Sequence, residues 1–489
     1  MKNYRINVSR REFLIHTGLT GAGFALGLTL PTNNNAFAAE TTASAATPEV
    51  NAWVVIEPDD TVIIRIARSE MGQGTLTGLA QLVAEELECD WSKVTTEYAS
   101  PAKNLARDGV WGSFATGGSR GIRTSHDYVR KGGAVAREML IQAAANEWGV
   151  PTDECSSDNS VITHKASGRT TTYGKVATAA AKLEPPLDVI LKDPEDWKIA
   201  GQPIKRLDTQ DKLTGKQVYS ADLKLPGMLN AAIKACPVFG GSVKSFDAKA
   251  ISKRPGVRKV VQVGDDAVAV VADTWWHAKT ALDALPIQWN EGPNAKLSSA
   301  AIDKTLTEGL TSSDDVFTGN QAGDAKAALK GAAKTVEATY SYPYQAHACM
   351  EPMNATARWT RERCEVWCPT QNGESALQDT AEAAGLPAAQ CEVYKLHLGG
   401  GFGRRAIHDY ITQAVTIAKQ LPGTPVKLLW SREEDIQHDH YHPVTKCKLT
   451  GGLDDKGNLT GLHVRISGHS IAAIRWPGML RANNGADIL

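Results

Sequence analysis

Three stretches of the chain combine glycine with Gln, Thr, Ser and Arg in an order suited to holding an anion. They are Glu70-Met71-Gly72-Gln73-Gly74, Thr116-Gly117-Gly118-Ser119-Arg120-Gly121, and Gly399-Gly400-Gly401-Phe402-Gly403 followed by Arg404-Arg405. Glycine lets the backbone approach a ligand closely. A loop that opens a helix also presents unpaired N–H groups and the positive end of the helix dipole. One such loop is most often a tight turn; three in one chain point to a single large polyanion. Arginines at a helix start oppose the dipole, so a neighbouring anion would account for Arg404 and Arg405. A second chemistry is offered by His438-Asp439-His440-Tyr441-His442. In a strand its three imidazoles would share one face, the donor set of a zinc hydrolase, although a polar strand end beside Pro443 is the plainer reading.

The usual nucleotide motifs fail. G-x-G-x-x-G would need glycine at 404, where Arg404 stands, and Gly72 and Gly74 are followed by Thr77. No G-x-x-x-x-G-K-S/T run occurs, which excludes a P-loop NTPase. Eight cysteines contain neither CxxC nor CxxCH, so covalent haem is excluded and zinc ribbons or ferredoxin-type clusters are disfavoured. They read as small buried hydrophobes, with any disulfide pairing left open. Lys+Arg 53 against Asp+Glu 54 gives a net charge of -1, so no global field recruits nucleic acid or an anionic membrane.

The elements that must position these loops read as a multi-domain α+β chain. Trp53–Ile56 and Val62–Ile66 predict a strand pair around the turn Pro58-Asp59-Asp60, and the spacing of Leu76, Leu79, Leu82, Val83 and Leu87 predicts a helix from Thr75 to Glu88. A second helix is predicted from Gly121 to Trp148, ended by Gly149 and Pro151. The third loop is expected to open a helix with Ile407, Tyr410, Ile411, Ala414, Val415 and Ala418 on its apolar face. Between them, Val257–Val263 and Ala267–Ala272 read as strands, Thr274–Leu282 as a helix, and 292–333 as a Lys/Ala/Gly-rich connector before a strand at Val336–Tyr342. At the N-terminus, Arg10-Arg11, a weakly apolar run from Leu19 to Leu30 and Ala36-Phe37-Ala38 predict a twin-arginine export signal over residues 1–38. Export of a folded, cofactor-loaded protein to the periplasm is the expectation, with no stable membrane span in the rest of the chain.

Taken together, Glu70–Trp91, Trp111–Leu140, Arg206–Leu229, Gln371 and Gly399–Arg405 resemble the molybdenum hydroxylases, the xanthine dehydrogenase and aldehyde oxidoreductase family, on its molybdopterin-binding large subunit. The order of the motifs is most similar to the isoquinoline 1-oxidoreductase beta subunits. The resemblance implies 50–185 as the N-terminal part of the molybdopterin-binding region, 204–291 as an a/b hammerhead domain, and 334–489 as an incomplete molybdopterin-binding domain. It implies that Gly72, Gln73, Gly74 and Thr116, Gly117, Gly118, Ser119 hold the pterin and its phosphates. Gln371 would hydrogen-bond an oxygen ligand of molybdenum. Gly400, Gly401, Phe402 and Gly403 would lie against the metal centre, with Phe402 near the substrate and Arg404 toward anionic groups. No side chain is expected to ligate the metal. The implied cofactor is molybdopterin with molybdenum, in the cytosine dinucleotide form. The implied reaction is hydroxylation of an aldehyde or N-heteroaromatic carbon with water as the oxygen source. Electrons would pass to iron–sulfur clusters on a small partner subunit, with a cytochrome as one candidate acceptor.

The chain departs from that family in three places. No G-x-G-E motif carrying the family's base glutamate occurs before Leu489, which reads as a truncation. Ala406 and Ile407 stand where xanthine-acting members carry a second glutamate, and His442 stands where arginine is usual. An inactive remnant lacking the base is therefore the competing expectation.

Overall fold

Alternation along the first strands is realised as a half-buried sheet. Val54–Ile56 and Val62–Ile66 pair antiparallel with Val55 opposite Ile63, and Val62, Ile64 and Ile66 point into the core. The computed structural model describes residues 49–314, 316–475, 478 and 482; the leader expected over 1–38 and the end of the chain lie outside them. Helix Thr75–Leu87 buries Leu76, Leu79, Leu82, Val83 and Leu87, as its period predicts, and ends at Glu88 in the left-handed region. It leads to Val94–Tyr98, which lies parallel to Val62–Ile66, so the chain makes a βαβ crossover.

The second predicted helix is two. Arg120–Arg123 is a single turn and His126–Trp148 a long helix. The break falls at Thr124 and Ser125, whose hydroxyls both accept from the Arg68 guanidinium at 3.0 Å. Two glycines set how closely the long helix packs. A Cβ at Gly133 would stand 2.3 Å from the Val83 carbonyl oxygen, and one at Gly132 would stand 2.7 Å from the Trp53 ring.

The described residues fall into two compact units. The first lies within Met1–Lys234, Asp247–Pro286 and Cys349–Arg432. Its largest sheet has seven strands, in the order Cys391–Lys395, Cys364–Cys368, Asn354–Trp359, Val426–Leu429, Leu229–Ala235, Ala267–Ala272, Val257–Val263. Cys364–Cys368 runs parallel to Cys391–Lys395, and Val426–Leu429 parallel to Leu229–Ala235. The strands expected at 257–263 and 267–272 have those bounds, and the helix after them is Trp275–Asp283.

The second unit holds an antiparallel sheet of Lys334–Tyr342, Thr445–Leu453 and Leu459–Gly468. The segment read as a connector contains two helices, Ser299–Gly309 and Ala325–Lys330. Small residues conceal the second from a hydrophobic-period reading: it meets the sheet where Gly452 and Gly461 leave room for Leu329 and Ala328. All eight cysteines are free thiols and seven are buried. No helix among the described residues is long and apolar enough to cross a membrane.

Candidate functional site

Three strands of the first unit end side by side, and each hands its chain to a loop carrying residues marked in the sequence. Val62–Ile66 leads into Arg68–Gly74, Cys364–Cys368 into Thr370-Gln371, and Cys391–Lys395 into His397–Gly403. Crevices outside the carboxyl ends of parallel strands are the usual ligand sites of α/β sheets. Here the loops are joined to one another. The Ser69 N–H donates to Thr116 Oγ1 at 2.9 Å and its hydroxyl to the Thr370 carbonyl at 2.7 Å. The Thr116 N–H donates to the Gln371 carbonyl at 2.7 Å, and the Leu398 N–H to the Glu70 carbonyl at 3.0 Å. Gln371 is the central link: Nε2 donates to the Thr116 carbonyl at 2.9 Å and Oε1 accepts from the Gly403 N–H at 3.0 Å. One amide hydrogen of Nε2 is left over by this pairing.

The first loop does not hold an external anion in the expected way. The carboxylate of Glu70, fully buried, accepts from the N–H groups of Gly72, Gly74 and Leu76 at 2.9, 3.1 and 3.0 Å. The helix N-terminus is thus capped by the protein's own anion, and Gly72 and Gly74 are donors to Glu70. Gln73 folds back on its loop, accepting from the Met71 N–H and donating to the Ser69 carbonyl.

The other two loops keep donors in hand. Gly117, Gly118 and Ser119 are exposed, Ser119 has φ 55°, and their N–H groups have no hydrogen-bond partner among the described residues. The same holds for the N–H groups of Gly400, Gly401 and Phe402, while Gly399 N–H is taken by Glu351 and Gly403 N–H by Gln371. Phe402 has φ 55° and is 68% exposed. Runs of N–H groups through left-handed residues form concave anion nests. The third loop does not open its helix directly: a short turn over Arg404–Ala406 and the extended Ile407 intervene before Asp409–Ala418. Dipole capture at that loop therefore gives way to N–H capture.

Arg404 and Arg405 turn inward, which corrects the expectation that Arg404 faces an anionic ligand. Arg404 is 1% exposed, gripped by Asp409 through two bonds of 2.9 and 2.8 Å, and its guanidinium lies over Trp430. Arg405 is fully buried and donates to the Gly400 carbonyl at 2.8 Å and to Glu351. The pair braces the loop from behind by buried ion pairing.

The histidine cluster lies in the second unit and is no metal site. Residues 438–441 are irregular and not a strand, so the alternation that would align three imidazoles is absent. His438 binds the Cys236 carbonyl at 3.0 Å, and the His442 ring packs tilted against that of His347 with centroids 4.6 Å apart. No group of three His, Cys, Asp or Glu among the described residues could hold a metal ion.

Residues that the sequence reading did not name as site residues carry the electrostatics. Arg206 donates to Glu70 and Asp208, and Lys212 also reaches Asp208. Burial alone would raise the Asp208 carboxyl, but these cations hold it down at about 2. Glu351 accepts from the Ala221 and Gly399 N–H groups and from Arg405. Lys395 is buried with no carboxylate partner among the described residues, donating to the Ala67 carbonyl and, at 3.5 Å, to Ser69 Oγ, between the rings of Tyr98 and Phe114. Glu70 was findable as an acid just before a helix start; Glu351 and Lys395 carry no local signal.

The packing at Gly401 makes one prediction. A Cβ there would stand 2.5 Å from Met71 Sδ and 2.9 Å from Gln371 Oε1. Gly401→Ala should cost about 1–3 kcal/mol as overpacking does, read as a lower urea midpoint. An unchanged midpoint would show that the loop is free to move away from Gln371.

Two family models, both described as molybdopterin cofactor-binding domain, match residues 14–212 and 311–476. Among curated relatives, the membrane-bound aldehyde dehydrogenase (pyrroloquinoline-quinone) of Gluconacetobacter polyoxogenes is 29% identical over 488 residues, covering 96% of this chain and 61% of that one. The beta subunit of the isoquinoline 1-oxidoreductase of Brevundimonas diminuta is 27% identical over 523 residues, covering 96% and 65%. A nicotinate dehydrogenase subunit of Pseudomonas putida is 26% identical over 429 residues, covering 86% and 35%. The chain spans less than two thirds of the length of these relatives.

Proposed function

The chain belongs to the molybdenum hydroxylase family, among its molybdopterin-binding large subunits, and from that premise we propose that it is the cofactor-carrying subunit of an oxidoreductase that hydroxylates an aldehyde or N-heteroaromatic carbon. Water is the oxygen source in this reading, and the electrons pass to an iron–sulfur partner subunit and on to an acceptor such as a cytochrome. The Arg10-Arg11 leader supports a periplasmic location.

One observation carries the reading: two runs of unpartnered N–H groups, Gly117–Ser119 and Gly400–Phe402, are tied together through Gln371. Such a donor set fits a cofactor with anionic groups at more than one place, and the cytosine dinucleotide form of molybdopterin has them. When bound, the molybdenum group supplies the two-electron oxidation and the activated water. The chain's own residues bind and orient. Gly117, Gly118 and Ser119 would receive phosphate oxygens, Gly400–Phe402 would face the metal's oxygen ligands, and the spare Nε2 hydrogen of Gln371 would add one donor. Gly72, Gln73 and Gly74 act indirectly, as the loop locked by Glu70 on which the third loop rests. Glu70 and Glu351 are committed to backbone N–H groups and arginines, so neither is available as the base.

The test is elemental and nucleotide analysis of the chain expressed in a host that makes the cofactor. Molybdenum and cytidine nucleotide in equal amounts are expected; a folded sample lacking both rejects the reading. Gly118, at φ 58° and with an added Cβ in ordinary contact with only the Arg120 side chain at 3.5 Å, permits a local version. Asp and Asn both tolerate that conformation, so Gly118→Asp should lower cofactor content about tenfold, the effect of ~1.4 kcal/mol, while Gly118→Asn retains most of it.

A further inference from the structure

Gln371 links the two runs of free N–H groups, and its own backbone is fixed on both sides. The Gln371 N–H donates to the Arg405 carbonyl at 3.1 Å, and its carbonyl accepts the Thr116 N–H. The residue before it, Thr370, is fully buried, and its hydroxyl opens a chain of groups that can hold a proton. Thr370 Oγ1 lies 2.9 Å from His408 Nε2, and His408 Nδ1 lies 2.6 Å from Asp379 Oδ2. Asp379 stands on helix Gly373–Ala384 and His408 immediately precedes helix Asp409–Ala418, so three side chains tie both helices to the loop. Tyr410 adds a hydroxyl bond to the Pro369 carbonyl at 2.9 Å.

The partners assign the hydrogens. A carboxylate only accepts, so Nδ1 carries the imidazole hydrogen and Nε2 offers its lone pair to Thr370. The Thr370 hydroxyl has a single hydrogen and other acceptors within reach, the Asn372 carbonyl at 3.1 Å and the Arg405 carbonyl at 3.5 Å. Its oxygen meanwhile receives the Asn372 N–H at 2.9 Å. With the hydrogen on Nε2 instead, the imidazole would donate to Thr370, and the hydroxyl would turn to the Asn372 carbonyl. That carbonyl already accepts the Ala376 N–H at 3.0 Å, the first bond of its helix. One proton position thus selects between two hydrogen-bond settings of the backbone around Gln371. Thr370 and His408 are buried, whereas the Asp379 side chain is 42% exposed and meets solvent.

We propose that Asp379, His408 and Thr370 are positioning residues for Gln371. The carboxylate fixes the His408 tautomer, the tautomer fixes the setting of the Thr370 hydroxyl, and the hydroxyl holds the 370–372 backbone that carries the amide. Groups that orient a ligand-facing side chain from behind act in this way. A fully buried hydroxyl does not reach a substrate, so the chain orients and does not activate a nucleophile. The proposal rests on the cofactor reading only for what Gln371 touches.

Nitrogen-15 NMR of the histidine-labelled chain tests it beside hydrogen exchange and molybdenum content, with the His408 signals assigned by their absence from His408→Gln. The unaltered chain should carry the His408 hydrogen on Nδ1 at neutral pH. Asp379→Asn, at a solvent-reaching position, should move that hydrogen toward Nε2. It should also speed exchange of the Thr116 and Gln371 N–H groups about tenfold, the effect of ~1.4 kcal/mol. Neither of those groups is bonded to the Thr370 hydroxyl. Thr370→Val keeps the side-chain shape and should speed the same amides, while Thr370→Ser should leave them slow. In a host that makes the cofactor, molybdenum content should fall about tenfold in Asp379→Asn and Thr370→Val and hold in Thr370→Ser. An unaltered chain with the hydrogen on Nε2, or unchanged exchange in both Asp379→Asn and Thr370→Val, overturns the positioning chain. The expected tautomer and exchange in a chain that never takes up molybdenum support it and sink the cofactor reading instead.

Discussion

Glu70→Ala should destabilise the first unit by about 3–5 kcal/mol, the cost of removing one partner from a buried ionic cluster. The carboxylate is fully buried and satisfies three backbone N–H groups at the start of helix Thr75–Leu87 together with Arg206. Its removal leaves those donors without water or protein to receive them, and an unmet buried donor costs about 1–3 kcal/mol. The change also releases Met71 and Gly72 from the position in which Met71 abuts Gly401. Urea unfolding should show the loss, and cofactor content should fall with it although no ligand contact has been touched. Arg206→Ala is the control. Its side chain is 34% exposed and gives Glu70 one bond, beside two to Asp208 and one to the Gly72 carbonyl, and its loss leaves the three N–H groups still bound to Glu70, so it should cost less. A cost below about 1 kcal/mol for Glu70→Ala would mean that the loop is held by something other than this clasp.

Lys395→Met should make the protein more stable at neutral pH and flatten its pH dependence. Burial first, and then the charge of Arg68, lower the Lys395 ammonium from 10.5 to about 7. That shift corresponds to roughly 5 kcal/mol. Because the folded-state value lies below the unfolded one, the unfolded chain binds the extra proton between about pH 7 and 10.5. Stability from this group is therefore lowest below pH 7 and recovers as pH rises through that window. Methionine carries no charge and should abolish the slope, at the expense of the bonds to Ala67 and Ser69. Urea midpoints of both proteins at pH 6.5, 8 and 9.5 check the sign. Parallel curves would show that the lysine is solvated or paired in solution.

How far the site was legible can be followed at its loops. Gly399–Gly403, Thr116–Ser119 and Gly72–Gly74 stand out in the sequence because glycine beside polar residues is a local signal; the structure joins the first two of these through Gln371 and ties the Gly72–Gly74 loop to them through Ser69 and Glu70. What each loop binds is not local. The donors of the first are consumed by Glu70, two residues upstream of Gly72, a pairing set by a left-handed turn that composition does not report. Arg404 and Arg405 looked like a clamp for a ligand because their charges were visible and Asp409, Glu351 and Trp430 were not yet beside them. The histidine run failed as a metal set because sharing a face requires a strand, and residues 438–441 do not form one.

By itself the sequence determined the family, the α+β alternation of the core segments and the places where backbone would come close to a ligand, because these depend on residue type, short-range period and motif order. Tertiary structure alone decided which N–H groups remain available, which charges are already spent and which residues line a cavity beside the third loop. Those properties depend on partners tens to hundreds of residues away, such as Arg206 with Glu70 and Arg405 with Glu351, and burial makes each of those pairings all or nothing.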